Sequence, residues 1–326
     1  MRLSLAPMEG LTNPIFRRAH ERFFGGADCY YTPFYVPTFE GYARKFLDKL
    51  EEEKCTKTPT VVQFLTSRAP DFLAGASQVA AIGYEEINLN FGCPSGTVTA
   101  KGKGSGILRT PDALDRLLDG IFSGIDQAAR GMRVSVKTRI GYESADLLPE
   151  ILEVYNRYPI SELIVHPRLR SDFYRGHANL EAFSYIYENS RAPVAYNGDV
   201  FNLTDYERIT ARFPRLTHIM LGRGAVADPA LVLALRGEAL SSEEKKARLR
   251  EMHEAVLEEN KVLIGEGRGL ACRMADFWHY LIFSFSEDAA DARPICSARN
   301  LAEYRAAVSR VFRERPLREG GFIPKI

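Results

Sequence analysis

The chain has only five cysteines, Cys29, Cys55, Cys93, Cys272 and Cys296, and no CxxC pair. An odd, sparse set of this kind excludes a disulfide scaffold and reads as a protein of a reducing compartment, the cytoplasm. There is no run of about eighteen apolar residues, so no membrane span is expected. The opening stretch, MRLSLAPMEG, lacks the long apolar core of a secretory signal. Charge of one sign is also missing: the net charge is +1. Whole-molecule charge therefore argues neither for nor against a nucleic-acid partner, and such a role would need a local basic patch. Histidines are few, and His166 and His177 have ten residues between them in HPRLRSDFYRGH, with no cysteine or histidine at ligand spacing beside them. No metal site is expected. Low-complexity tracts and exact repeats are absent too.

What is present is alternation. A chain of 326 residues suits one large domain with a small one attached. Short β-rich runs recur at 2–7, 29–34, 60–64, 85–91, 133–139, 162–168, 193–199 and 218–224, with amphipathic stretches such as 110–122 and 202–213 between them. Strands alternating with helices imply a parallel sheet. Eight such units predict an α/β fold, a (β/α)8 TIM barrel over 1–236, with a doubly wound open sheet as the alternative. Beyond it the pattern turns helical. A charged helix over 241–265 with Ser242 as its cap, an apolar helix over 271–285 carrying the single Trp, and a third helix over 297–312 predict a C-terminal helical domain over 237–326.

In a barrel the chemistry lies at the C-terminal ends of the strands. Reading there gives Met8 and Glu9, Thr32, Gln63, Asn90 with Cys93, Lys137 with Arg139, His166 with Arg168, Asn197 with Asp199, and Gly222 with Arg223. Cys93 sits between Gly92 and Pro94, where the chain turns out of a strand. Such a thiol is a buried small hydrophobe, a nucleophile that needs a base or cation to form thiolate, or a proton donor that must stay neutral. Lys137, inside a β-run, is a Schiff-base lysine, a cation facing an electron-rich cofactor, or half of an ion pair with Glu9 or Asp199. The turns Asn197-Gly198-Asp199 and Gly222-Arg223-Gly224 follow the last two strands, where a barrel usually holds phosphate on backbone N–H groups. AKGKGSG lacks the order of a nucleoside-triphosphate loop and reads as a mobile lid whose lysines meet phosphates.

Six segments then occur in a telling order: LAPMEGLTNPIFR, NLNFGCPS with KGKGSGIL, VSVKTRIG, IVHPR, NGDV and LGRGA. Together they resemble the tRNA-dihydrouridine synthases, flavin enzymes of the FMN barrel class, and the likeness extends into the helical tail through RMADFWHYL. The resemblance implies that FMN, reduced by a nicotinamide cofactor, NADPH or else NADH, passes hydride to C6 of a tRNA uridine while Cys93, as a neutral thiol, protonates C5 from the face opposite the flavin. It further implies that Pro7, Met8 and Glu9 border the flavin ring and that Gln63 and Lys137 meet its polar edge. His166 would lie beside it, and Asn197, Gly198, Asp199, Gly222 and Arg223 would hold the ribityl phosphate. Asn90 and Arg139 would hold the flipped-out uridine; Arg168, Lys101, Lys103 and, in the helical tail, Arg273 would meet tRNA. A monomer is expected.

Two positions depart from the family pattern: Pro33 near the end of the second strand, where relatives carry an acidic or other polar residue, and Ala275, where they often carry lysine. Three rival readings remain. They are an FMN barrel oxidoreductase acting on a small-molecule enoate or pyrimidine, an aldolase or isomerase built on Lys137, and a flavin- or RNA-binding module without turnover.

Overall fold

The computed structural model describes residues 1–39, 44–318 and 321–322. Eight strands, β1 (Arg2–Leu5), β2 (Cys29–Tyr31), β3 (Thr60–Phe64), β4 (Glu86–Phe91), β5 (Arg133–Gly141), β6 (Leu163–Leu169), β7 (Val194–Tyr196) and β8 (His218–Leu221), pair in chain order. All pairs are parallel, and β1 returns to β8 with Leu3 opposite Ile219, which closes the barrel. Strands buried on both faces need apolar, β-branched residues. Val62, Ile87, Val136, Val165 and Ile219 supply them, each with no exposed surface. Helices between the strands form the outer ring, among them Pro14–Phe23, Ala69–Ala81 and Pro111–Ala128.

Four strands stop earlier than the apolar runs suggest: β1 at Leu5, β2 at Tyr31, β7 at Tyr196 and β8 at Leu221. Pro7 and Pro33 explain the first two, because proline cannot donate to a strand ladder. At β7 and β8 the chain turns at Gly198 and Gly222. The residues freed from the sheet line the barrel mouth.

The inside of the barrel is not wholly apolar. Arg2 and His218 Nδ1 meet the Glu162 carboxylate at 3.6 and 2.9 Å, and His218 Nε2 lies 2.6 Å from Ser4 Oγ. Glu162 accepts at Nδ1, which places the imidazole proton there and leaves Nε2 to accept from Ser4. This polar foot lies at the N-terminal ends of the strands.

The C-terminal region begins with helix Ser242–Ile264, followed by Arg268–Leu281 and Leu301–Glu314. The cap of the first is Ser241, one residue earlier than expected: its Oγ accepts the Glu244 N–H at 3.2 Å. These helices pack on the barrel, with Phe277 edge-on to Phe16 at 5.9 Å and Lys245 paired with Asp228 at 2.6 Å. Trp278 is fully enclosed and donates to the Tyr304 hydroxyl at 2.9 Å. One apolar cluster contains residues of the barrel and of these helices alike, so the core continues across residue 236. Among the described residues no helix is long and apolar enough to cross a membrane.

Candidate active site

A cavity of about 250 Å³ opens at the C-terminal ends of the strands. One corner is built around Cys93. Asn90, near the end of β4, accepts the N–H groups of Gly92 and Cys93 on its Oδ1 at 3.1 and 2.9 Å and so fixes the turn that carries the thiol. The Cys93 carbonyl accepts both the N–H and the hydroxyl of Ser105, at 3.1 and 2.8 Å. The glycine loop between them is not the mobile lid expected from its composition. It forms a short helix (Gly96–Thr99) and a 3-10 turn (Gly104–Arg109) whose residues 104–108 are buried. Gly104 has φ +56°, and a Cβ there would lie 2.8 Å from the Cys93 carbonyl oxygen. Glycine is needed for close packing beneath the thiol.

Burial pushes the Cys93 thiol up from its ordinary value and Glu9 adds to the shift, while a Ser95 N–H, Arg139 and Lys137 oppose it. No basic side chain hydrogen-bonds the sulfur among the described residues. Of the alternatives open at this position, the geometry favours a neutral thiol that holds a proton.

The wall beside it consists of donors. Asn90 Nδ2 donates to Gln63 Oε1 (2.7 Å), Gln63 Nε2 to Asn88 Oδ1 (2.7 Å), Asn88 Nδ2 to Ser135 Oγ (3.0 Å), and Ser135 to Glu86 Oε1 (2.6 Å). Backbone N–H groups fix the amide orientation at one end and a carboxylate at the other, and the two ends agree. Asn90 and Gln63 each keep one N–H without a partner, and both line the cavity. Lys137 lies opposite Asn90 in the β4–β5 register. It makes no hydrogen bond or ion pair among the described residues, so the pair with Glu9 or Asp199 is not formed. Burial, reinforced by Arg139, lowers its amine to about 7. Arg139 uses three of its N–H groups on the carbonyls of Gly92, Leu169 and Phe173, at 2.8, 2.7 and 2.7 Å. His166 receives the Arg168 guanidinium on Nε2 at 3.1 Å, which leaves the proton on Nδ1. Burial and the cations Arg139, Lys137, Arg168 and Arg223 hold the ring neutral, well below its usual range.

The far end is a cradle of free N–H groups. The backbone N–H groups of Gly198, Asp199, Gly222, Arg223 and Gly224 donate to nothing among the described residues. A Cβ on Gly198 would lie 2.4 Å from the Tyr196 hydroxyl, and one on Gly224 2.4 Å from the Val200 carbonyl. Asp199 does not face this cradle as a ligand would. Its carboxylate takes Arg168 at 2.6 and 3.0 Å and Arg223 at 2.9 Å, and so fixes both guanidinium groups.

A family model, "Dihydrouridine synthase (Dus)", matches residues 4–279. The chain belongs to the dihydrouridine synthase family. It is 32% identical over 244 residues to the tRNA-dihydrouridine(16) synthase of Ralstonia nicotianae, a match covering 73% of each chain. It is 32% identical over 248 residues to the protein of that name from Cupriavidus necator, covering 72% of this chain and 74% of that one. Among solved structures, morphinone reductase superposes with TM-score 0.53 at 11% identity, over 73% of this chain and 86% of that one. A 2-naphthoyl-CoA reductase does so with TM-score 0.55 at 11% identity, over 72% and 50%. These two likenesses are of fold.

Dihydrouridine synthases are flavin enzymes, and the cavity suits a flavin nucleotide. Its donor cradle fits a phosphate, and its donor wall fits the acceptor edge of the ring. Of the residues expected at this site, Pro7, Met8, Glu9, Gln63, Asn90, Cys93, Lys137, Arg139, His166, Asn197, Gly198, Gly222 and Arg223 line it. Four others do not. Arg168 is buried, and all five of its N–H groups are engaged, on Asp199, His166 and the carbonyls of Arg175 and Gly176. That placement removes it from any contact with RNA and makes it a strut behind the cavity. Lys101 is exposed and Lys103 half-buried on the loop outside. Arg273 reaches from the helical region to the Gly10 carbonyl at 3.3 Å, beside Glu9. Of the two departures from the family pattern, Pro33 lines the cavity, and Ala275 is buried within the helical region.

Tyr174 and Tyr280 also line the cavity, and sequence reasoning missed both. Tyr174 stacks on His166 with centroids 6.1 Å apart and lies under the guanidinium groups of Arg139 and Arg223. It belongs to an irregular loop, where no periodicity marks which way a ring points.

Proposed function

We propose that the protein reduces a uridine of tRNA to 5,6-dihydrouridine, with FMN in the barrel cavity and NADPH as reductant. The observation that carries this reading is the half-buried Cys93 thiol, pushed up by burial, on the wall of a cavity to which Asn90, Gln63, Lys137 and Arg139 also turn donors. When bound, reduced FMN supplies the hydride that goes to C6 of the uracil ring. Cys93 Sγ holds the proton that goes to C5, so one hydride and one proton saturate one double bond. Asn90 sets the thiol's position through the two N–H groups it accepts. Gln63 and Lys137 offer donors to the electron-rich ring edge, and negative charge there would restore the lysine's proton. Gly198, Gly222, Gly224 and the Asp199-held Arg223 take the phosphate, with Asn197 and His166 closing that side. Pro7, Met8 and Glu9 border the ring. Arg139 keeps two N–H groups for the uracil oxygens, with the second N–H of Asn90 beside them.

A base inside a folded tRNA must be turned out of its stack to enter such a cavity. Lys101, Lys103 and Arg273 stand around the mouth as contacts for the rest of the RNA. The relatives' names place their reaction at position 16, and we take that position as the target here.

Purified protein, NADPH and unmodified tRNA, followed by mass spectrometry of the nucleosides, test the reading. Flavin absorbance with new dihydrouridine, mapped to position 16, is expected. Flavin absorbance with NADPH oxidation and no dihydrouridine would replace it with a small-molecule reductase.

A further inference from the structure

The loops after β4, β5 and β6 build a second feature outside the cavity. The Arg109 guanidinium lies 4.0 Å from the centroid of the Tyr142 ring. The Arg170 guanidinium lies 5.1 Å from the same ring and 5.1 Å from the ring of Phe173. Cation, ring, cation and ring thus form one ridge. It is tied to the catalytic corner: Arg170 Nε donates to the Pro94 carbonyl at 3.2 Å, next to Cys93, and Arg109 donates to the Thr99 carbonyl at 3.2 Å.

Three properties distinguish the ridge from an ordinary solvated surface. Neither arginine has a carboxylate within 4.0 Å among the described residues, although Glu143 and Asp172 share these loops. Asp172 instead accepts the Leu169 N–H at 2.8 Å. The arginines use few donors: Arg109 engages two N–H groups and Arg170 one, out of five each. The third property is strain. Phe173 has φ +54° and, alone among the described residues other than glycine, takes a positive φ. Its carbonyl is pinned by Arg139 at 2.7 Å, and its ring is 40% exposed. A bulky residue is held in that region only where its surroundings over-determine it, and such strain collects at ligand clamps.

We propose that Arg109, Tyr142, Arg170 and Phe173 form a stacking platform for the unpaired RNA strand flanking the nucleotide that enters the cavity. The rings and guanidinium planes receive bases, and the unused N–H groups receive phosphates. This inference rests on the tRNA reading above. Stacking on aromatic rings needs no particular base, and guanidinium groups without carboxylate partners keep their full attraction for a polyanion. In a chain with a net charge of +1, that attraction has to be local.

Three variants of the flavin-loaded protein test it: Arg109→Gln, Arg109→Lys and Phe173→Gly. Glycine takes the strained φ at no cost, so the last removes the ring while favouring the fold. Flavin content and melting temperature serve as folding controls. Phe173→Gly should raise the KM for tRNA roughly tenfold, as the loss of one stacked base would, without altering its salt dependence. Arg109→Gln should weaken tRNA binding and lower the slope of log K against log salt by about one, and Arg109→Lys should recover the slope but not all the affinity. If all three variants make dihydrouridine with the parental KM and salt slope, the platform is wrong and the proposed reaction stands. If the parent binds tRNA through this ridge but makes no dihydrouridine, the platform stands and the reaction is wrong.

Discussion

The two ends of the barrel both carry buried polar groups, and they treat them in opposite ways. At the foot the network closes. Glu162 answers Arg2 and His218, and His218 answers Ser4; Glu86 answers Ser135 and, at 3.3 Å, Arg133. At the mouth the network is left open. Lys137 has no partner, Arg139 keeps two N–H groups, and five backbone N–H groups around the last two turns have no acceptor among the described residues. Buried donors are normally satisfied, because an orphan costs about 1–3 kcal/mol. A surplus concentrated at one end is the mark of a site whose missing acceptors arrive with a ligand. Polarity alone would not have separated the two ends; the balance of donors against acceptors does.

The largest effect that would test this contrast is at the open end. Cys93→Ala should slow dihydrouridine formation by about 10²–10⁴-fold, the usual worth of a positioned acid, while flavin content stays at the parental level. Parental turnover in that variant would remove Cys93 from its role. At the closed end, Glu162→Gln should lower stability by about 1–3 kcal/mol in a denaturant titration and leave flavin binding and the KM for tRNA unchanged. A change in KM would show that the foot is not merely structural. Lys137→Met should act in the reverse sense and stabilise the flavin-free protein by about 1–2 kcal/mol, because an unpaired buried ammonium is costly. The pH dependence fixes the sign. The folded amine titrates near 7 and the unfolded one at 10.5, so the unfolded chain binds more protons between those values and stability rises with pH across that window. The advantage of the methionine variant should therefore be greatest below pH 7 and fade towards pH 10, as read from melting temperatures. The smallest effect concerns an exception to the rule. The Tyr31 hydroxyl is buried without a partner among the described residues. Tyr31→Phe should change stability by less than about 1 kcal/mol, towards gain, with turnover unaltered.

The eight strands were legible because parallel strands need long apolar runs, and punctuation between them is strong. The strand ends were less so. Pro7 and Pro33 mark where β1 and β2 must stop, yet the apolar pattern runs past both. The cavity residues that sit on the strands themselves, such as Gln63, Lys137 and His166, could be found by counting along those runs. Tyr174 could not, since Arg139 and Arg223, both far from its loop in the chain, position that loop by donating to the carbonyls of Leu169, Phe173 and Tyr174. The glycines of KGKGSG misled for a physical reason: freedom of the unfolded chain and closeness of packing in the folded one call for the same residue. Arg168 misled because an arginine at a barrel mouth can face inward when a carboxylate such as Asp199 waits for it.

The row of amides through the barrel has a direction. Every bond from the Gly92 N–H to the Glu86 carboxylate points the same way, and turning any one side chain over would break two contacts at once. Glu86 lies at the far end of the barrel, where its charge is weakened by distance and answered by Arg133. What reaches the cavity from it is orientation. The row works like a one-way conductor of handedness, and replacing an amide by a carboxylate anywhere along it, as slow deamidation of Asn88 would, puts two acceptors face to face. The axis of this barrel is therefore a place where chemical ageing of one side chain would be read at the flavin.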